Sequence, residues 1–128
     1  MTLQPADIRR EWPRIKADVI EACGSFPYEE VYAACRYNHA ALFTCPEGFV
    51  VLETYVSDTD GRVELNVMLA SGVSDHNLLV LYSPEIEQIA RESGADRVVF
   101  RRLKDAAPVV HGWRMRACEY VKELDDGR

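Results

Sequence analysis

The stretch from Arg62 to Arg102 constrains the fold more than any other part of the chain. Arg62 to Ala70 reads as a strand: Val63, Leu65, Val67 and Leu69 alternate with Glu64, Asn66 and Met68, which sets one face on a core and leaves the other more polar. A glycine turn, Gly72-Val73-Ser74, follows. Ser83-Pro84-Glu85 then marks a helix start, with serine at the cap, proline at the first position and Glu85 and Glu87 near the positive end. Ile86, Ile89 and Ala90 share a face, Arg91 sits in the last turn and Gly94 closes the helix. Only Ser93-Gly94-Ala95 separates it from a second strand, Asp96 to Arg102, centred on Val98, Val99 and Phe100. A strand, a helix and a strand joined this tightly imply a right-handed crossover and a parallel pair.

The segments before this unit read as two helices and a meander. Pro13 suits the first turn of a helix in which Ile15, Val19, Ile20 and Cys23 recur at helical spacing, with Gly24 at its end. Tyr28-Glu29-Glu30 starts a short second helix with Val31, Tyr32, Ala34 and Cys35 on its apolar side, ending near Asn38. Strands are expected at Ala40 to Cys45 and Phe49 to Val56. Their connections, Pro46-Glu47-Gly48 and Asp58-Thr59-Asp60-Gly61, are rich in turn formers, so these two strands and the one from Arg62 form an antiparallel meander. After Ala106-Ala107-Pro108, the run His111-Gly112-Trp113 leads into a final strand from Arg114 to Leu124. The fold class is therefore α+β: a mixed sheet with an antiparallel meander, a strand-helix-strand crossover and a C-terminal strand. At 128 residues the chain is read as one domain, 1–128, long enough to bury a core without staples.

Charge excludes some functions. A net charge of −6 repels phosphate backbones, so nucleic acid is disfavoured as a partner except through a local basic face in "RVVFRRLK": Arg97, Arg101, Arg102 and Lys104, joined by Arg114 and Arg116. The other reading of that run is solvated edge charge. Cys23, Cys35, Cys45 and Cys118 lack the close paired spacing of a zinc knuckle and read as reduced core cysteines, against a zinc site of Cys23, Cys35 and Cys45 with His39. No metal site is expected. The polar stretch Met1 to Arg10 shows no signal-peptide pattern, and no apolar run approaches the roughly 20 residues of a membrane span. A cytoplasmic protein with no membrane partner is expected.

"EEVYAACRYNHAAL", "VELNVMLASGV", "EIEQIARESGADRVVF" and "GWRMRACEYVKEL", in this order of elements, resemble the acetyl-CoA-dependent N-acetyltransferase (GNAT) superfamily. The likeness covers nearly the whole chain and is narrowest with small GNAT-like proteins of phage and prophage structural-gene clusters. In active members of the superfamily, the turn after the fourth strand carries Gln or Arg, then a glycine, then a glycine or alanine, and its amides cradle the cofactor diphosphate. Here Leu69 holds the leading position, Gly72 the first glycine and Ser74 the second small position. Asp75, the natural cap of the next segment, brings a carboxylate to those amides. Active members often place a general-acid tyrosine four residues before the glycine of the late aromatic turn, where this chain has Pro108.

The resemblance, with these departures, implies a non-catalytic GNAT-like protein of a phage or prophage virion. It would be made in a bacterial cytoplasm and incorporated in particles, with other phage structural proteins or its own copies as partners and no cofactor. The alternative is a divergent N-acetyltransferase that binds acetyl-CoA through Gly72, Val73 and Ser74, so that a bulky residue at Gly72 abolishes turnover with the fold intact. Other acid or base candidates are Glu53 and Glu64 on neighbouring strands, otherwise solvated strand-face charges, and His76 and His111, which lack an evident nucleophile or orienting partner. Trp12, Tyr28, Tyr37, Tyr55 and Trp113 read as core or core rim, and any exposed cluster of them as a docking anchor.

Overall fold

A computed structural model of the chain describes residues 2–72, 78–101, 114–116 and 119–124. The elements run β1 (Gln4–Ala6), α1 (Ile8–Cys23), α2 (Tyr28–Arg36), β2 (Ala41–Cys45), β3 (Gly48–Val56), β4 (Val63–Gly72), α3 (Leu78–Leu81), α4 (Ser83–Glu92), β5 (Arg97–Arg101), β6 (Arg114–Arg116) and β7 (Glu119–Glu123). The strands form one mixed sheet in the order β1-β2-β3-β4-β5-β7-β6. The β2–β3–β4 meander is antiparallel and β4 pairs with β5 in parallel, as the short return after the crossover helix requires. The class is α+β.

Local chemistry explains where the helices begin and end. The carboxylate of Asp7 accepts the Arg9 N–H at 2.9 Å and caps α1. The helix therefore starts at Ile8, five residues before Pro13, which lies inside it rather than in its first turn. Ile8, Ile15, Val19 and Cys23 form its buried stripe, Ile20 is exposed, and Gly24 ends it at φ +58°. The end of α2 is closed by the Ala34 carbonyl, which accepts from both His39 and Ala40, with Asn38 left-handed at φ +64°. The crossover is broken in two as Ser83-Pro84 predicts, although Tyr82, not Ser83, holds the cap position of α4.

Helices cover both faces of the sheet. On the α4 face, Val50, Leu52, Leu65, Val67 and Val98 meet Tyr82, Ile86 and Ala90. On the other, Leu42, Phe49, Val51 and Leu69 meet Ile15, Val19 and Val31. β4 is consequently buried on both sides, and its polar alternates go inside as well: Glu64 is 2 % exposed and Asn66 6 %. The second face is the more polar one, as expected, but the reading of Glu64 as a solvated strand-face charge is corrected, because β4 lies at the centre of a sheet with helices on both faces.

Two further differences concern short strands. Gln4–Ala6, read from sequence as a polar lead-in, pairs with Thr44–Leu42 as β1. The single C-terminal strand expected from Arg114 to Leu124 is a hairpin of β6 and β7, with β7 set between β5 and β6. A three-residue strand offers no alternation long enough to read.

Candidate functional site

The end of β4 is the place where a strand-to-helix turn could serve a ligand, and three local features shape it. First, β4 carries a bulge: Val51 faces Leu69 and Leu52 faces Val67, so Met68 is extra. The bulge turns Met68 and Leu69 to the same face, where both pack against the α1/α2 cluster. Second, β4 pairs with β5 only from Glu64 to Val67, opposite Arg97 to Phe100. Among the described residues, Met68 to Gly72 are paired with β3 alone.

Third, Gly72, although exposed, has close neighbours on the side where a Cβ would project. A Cβ built there would sit 3.0 Å from Leu78 Cγ and 3.2 Å from the Glu47 carbonyl oxygen. A Cβ at Gly48 would lie 2.0 Å from the Ser71 carbonyl oxygen. Both glycines let the β2–β3 turn, the end of β4 and α3 pass close together. Gly72 itself is exposed, with Leu78 and the Glu47 carbonyl approaching one side of it, so a bulky residue at 72 presses on these neighbours as well as on anything bound at the turn. Val73 and Ser74, the other two turn residues singled out, lie outside the described residues, as do Asp75, His76, Pro108, His111 and Trp113.

Leu78–Leu81 is helical. A buried Tyr82 follows it, and its hydroxyl donates to the Glu47 carboxylate. That hydrogen bond, with burial second, pushes the phenol well above its ordinary range. Cys45, half-buried beside it, donates its S–H to the Gly48 carbonyl at 3.4 Å. The break in the crossover is therefore anchored to the β2–β3 turn.

Deeper in the sheet, β4 and β5 share an ion-pair network. Arg97, 3 % exposed, donates through Nε to Glu64 at 2.6 Å and through both terminal nitrogens to Asp60 at 2.8 and 2.9 Å. Glu123 lies 3.7 Å from Arg97 and 3.4 Å from Arg62. The Arg97 hydrogen bond holds the Asp60 carboxyl down at about 2. Arg97 is thereby removed from the expected basic face: it is internal and compensated by carboxylates. Arg102 and Lys104 lie outside the described residues, and of Arg101 only its place in β5 is described.

Glu53 and Glu64 have separate environments. Glu64 belongs to the Arg97 pair, whereas Glu53 accepts from the Asn66 amide at 2.8 Å. Glu64 is therefore not a solvated strand-face charge, while Glu53 is half-buried and borders an open groove. Asn66 keeps its carbonyl oxygen buried without a hydrogen-bond partner. The Cys35 thiol is pushed up to about 11 by burial and, secondarily, by the Glu53 charge. Cys23 is buried and raised by burial alone. Cys118 lies outside the described residues. No three of His, Cys, Asp and Glu converge as metal ligands among the described residues. No described helix is long and apolar enough to cross a membrane.

Trp12, Tyr28 and Tyr32 form a half-buried aromatic group with ring centroids 4.8 and 6.4 Å apart. Tyr37, expected at the core rim, is 66 % exposed beneath Arg36. An open groove of about 280 Å³ lies next to it, between the α2–β2 connection, β3 and α4. Neither the groove nor the Arg97 network was visible in sequence. Asp60 and Arg97 are 37 residues apart, and no local pattern announces such a pairing.

No protein-family model matches the sequence, and no curated protein matches it.

Proposed function

We propose that the chain is a non-catalytic GNAT-like domain that acts by docking on other proteins, and that its partners are structural proteins of a phage or prophage particle. The observation that carries this reading is the crowding beside Gly72 at the end of β4. Where an active member of that superfamily offers open glycine amides, a side chain at Gly72 would meet Leu78 and the Glu47 carbonyl. This crowding supports a turn that holds no cofactor diphosphate, and no reaction step is derived through acetyl-CoA. The fold half of the proposal is supported by the strand order and by the parallel β4–β5 pair at the crossover. The phage half rests on the resemblance in sequence.

A second reading, a divergent N-acetyltransferase, is favoured by one observation: among the described residues, β4 pairs with β5 no further than Val67 and Phe100, beside the Met68 bulge. Thermal unfolding with and without millimolar acetyl-CoA separates the two. A cofactor at about 100 times its dissociation constant adds about 2.7 kcal/mol, or roughly 10 °C for a chain of this size. No rise is expected. A clear rise overturns the non-catalytic reading and directs the search to amine acceptors. Recovery of the protein in purified particles at a fixed copy number tests the phage assignment, and its presence only in free lysate refutes it.

A further inference from the structure

The lower half of β3 has an open main-chain edge. β2 begins at Ala41, opposite Leu52, so it does not run beside Glu53–Val56. The segment that precedes it does not continue the ladder, because His39 and Ala40 direct their N–H groups back to the Ala34 carbonyl. Ser57 donates to the Arg62 carbonyl at 2.8 Å, and antiparallel alternation then points the main-chain groups of Tyr55 and Glu53 toward β4. Those of Thr54 and Val56 point outward. Among the described residues nothing bonds to that edge, and Val56 is 62 % exposed.

The groove described above adjoins this edge. Phe43, Leu52, Leu65 and Ile89 give it apolar walls, and Asn38 and Ser93 lie at it as well. Leu52 and Thr54 are two residues apart and present their side chains to the same face of the sheet. Alternate side chains of a strand added along Thr54–Val56 would therefore fall into the groove. Tyr37, which precedes Asn38 in the chain, offers an exposed aromatic surface nearby.

We propose that the Thr54–Val56 edge and its groove bind an extended peptide segment of a partner protein, which adds as a strand to β3 and seats an apolar side chain against Phe43, Leu52, Leu65 and Ile89. Two main-chain donors and two acceptors in register call for a polypeptide backbone rather than a compact ligand. The net charge of −6 opposes a second copy and favours a segment with basic residues at its outward positions. This inference rests on the docking reading and names its site.

The test uses a displayed library of random peptides, panned on the full chain. Thr54→Pro/Val56→Pro removes both outward N–H groups and leaves the β3–β4 ladder donors in place. Ser93→Arg, at an exposed position, crowds the groove without touching the edge. Enriched peptides are expected to alternate apolar residues and to protect the Thr54 and Val56 amides from hydrogen exchange. They should weaken at least roughly tenfold on the proline variant, as the loss of two main-chain hydrogen bonds implies. They should weaken on Ser93→Arg as well, with exchange protection of the β3–β4 ladder unchanged in both variants.

Failure to enrich any peptide, or peptides that bind wild type and variants equally, overturns the assignment. A dimer in sedimentation that the proline variant dissolves also overturns it, in favour of a second copy. A melting shift with acetyl-CoA refutes the docking reading separately, since amide protection at Thr54 and Val56 is read without the cofactor.

Discussion

Replacing Arg97 by methionine should be among the most damaging single changes in this protein. The side chain is almost fully enclosed, and its partner Glu64 is equally buried. Arg97→Met keeps length and apolar volume but leaves the Glu64 carboxylate inside the sheet without its guanidinium. Breaking a buried pair in this way costs about 3–5 kcal/mol. With an unfolding entropy near 2.1 cal/mol/K per residue, that corresponds to a fall in Tm of roughly 11–19 °C for a chain of this length. Glu64→Met should be damaging for the converse reason. The double variant Arg97→Met/Glu64→Met should recover most of the loss, because an apolar replacement of both partners carries no desolvation cost. Urea and thermal unfolding followed by circular dichroism measure all three variants in one cycle. A loss below about 1 kcal/mol for Arg97→Met would place the pair with ordinary surface salt bridges. A double variant no better than the single ones would equally refute the argument.

Three other expectations follow from the same geometry. Gly48→Ala should destabilise more than Gly72→Ala, since its Cβ meets a backbone oxygen at 2.0 Å while that of Gly72 meets the movable Leu78 side chain at 3.0 Å; equal denaturant midpoints would contradict this. Asp60 has a lowered folded-state pKa, so its contribution is fully present above the unfolded value near 3.8 and is lost as pH falls toward about 2. Asp60→Asn should therefore flatten the acid limb of stability between those values, measured by urea midpoints, and an unchanged limb would count against the pairing. The Cys35 thiol, raised to about 11, should resist iodoacetamide at pH 8 relative to an unfolded control. Glu53→Gln should make it somewhat more reactive, and a native rate equal to the control would refute its enclosure.

The parts of the fold that were legible in sequence are those decided within a few residues. Val63 to Val67 alternates along a strand that is a strand, although the bulge at Met68 sends Leu69 to the opposite face; Tyr28 to Arg36 starts with acids and is a helix, and Ser83-Pro84 stands at the start of the second crossover helix. The α1 boundary was misjudged because two start signals competed, and the Asp7 side chain outweighed Pro13. The C-terminal hairpin was hidden because β6 spans only three residues, too few to show a period.

Alternation, caps and turn formers along the chain are therefore enough to determine the α+β class and the parallel β4–β5 pair. They act between near neighbours, and the short return from α4 leaves one handed connection. The candidate site is another matter. That Gly72 lies beside Leu78 and Glu47, that Arg97 is internal rather than part of a basic face, and that Thr54–Val56 offers an open edge beside a groove were decided only by tertiary structure. Each depends on which distant segment arrives alongside: Leu78 and Glu47 at Gly72, Asp60 and Glu64 at Arg97, and a β2 that starts too late to cover the end of β3. Charge and hydropathy are properties of a residue, but burial and partnership are properties of a place.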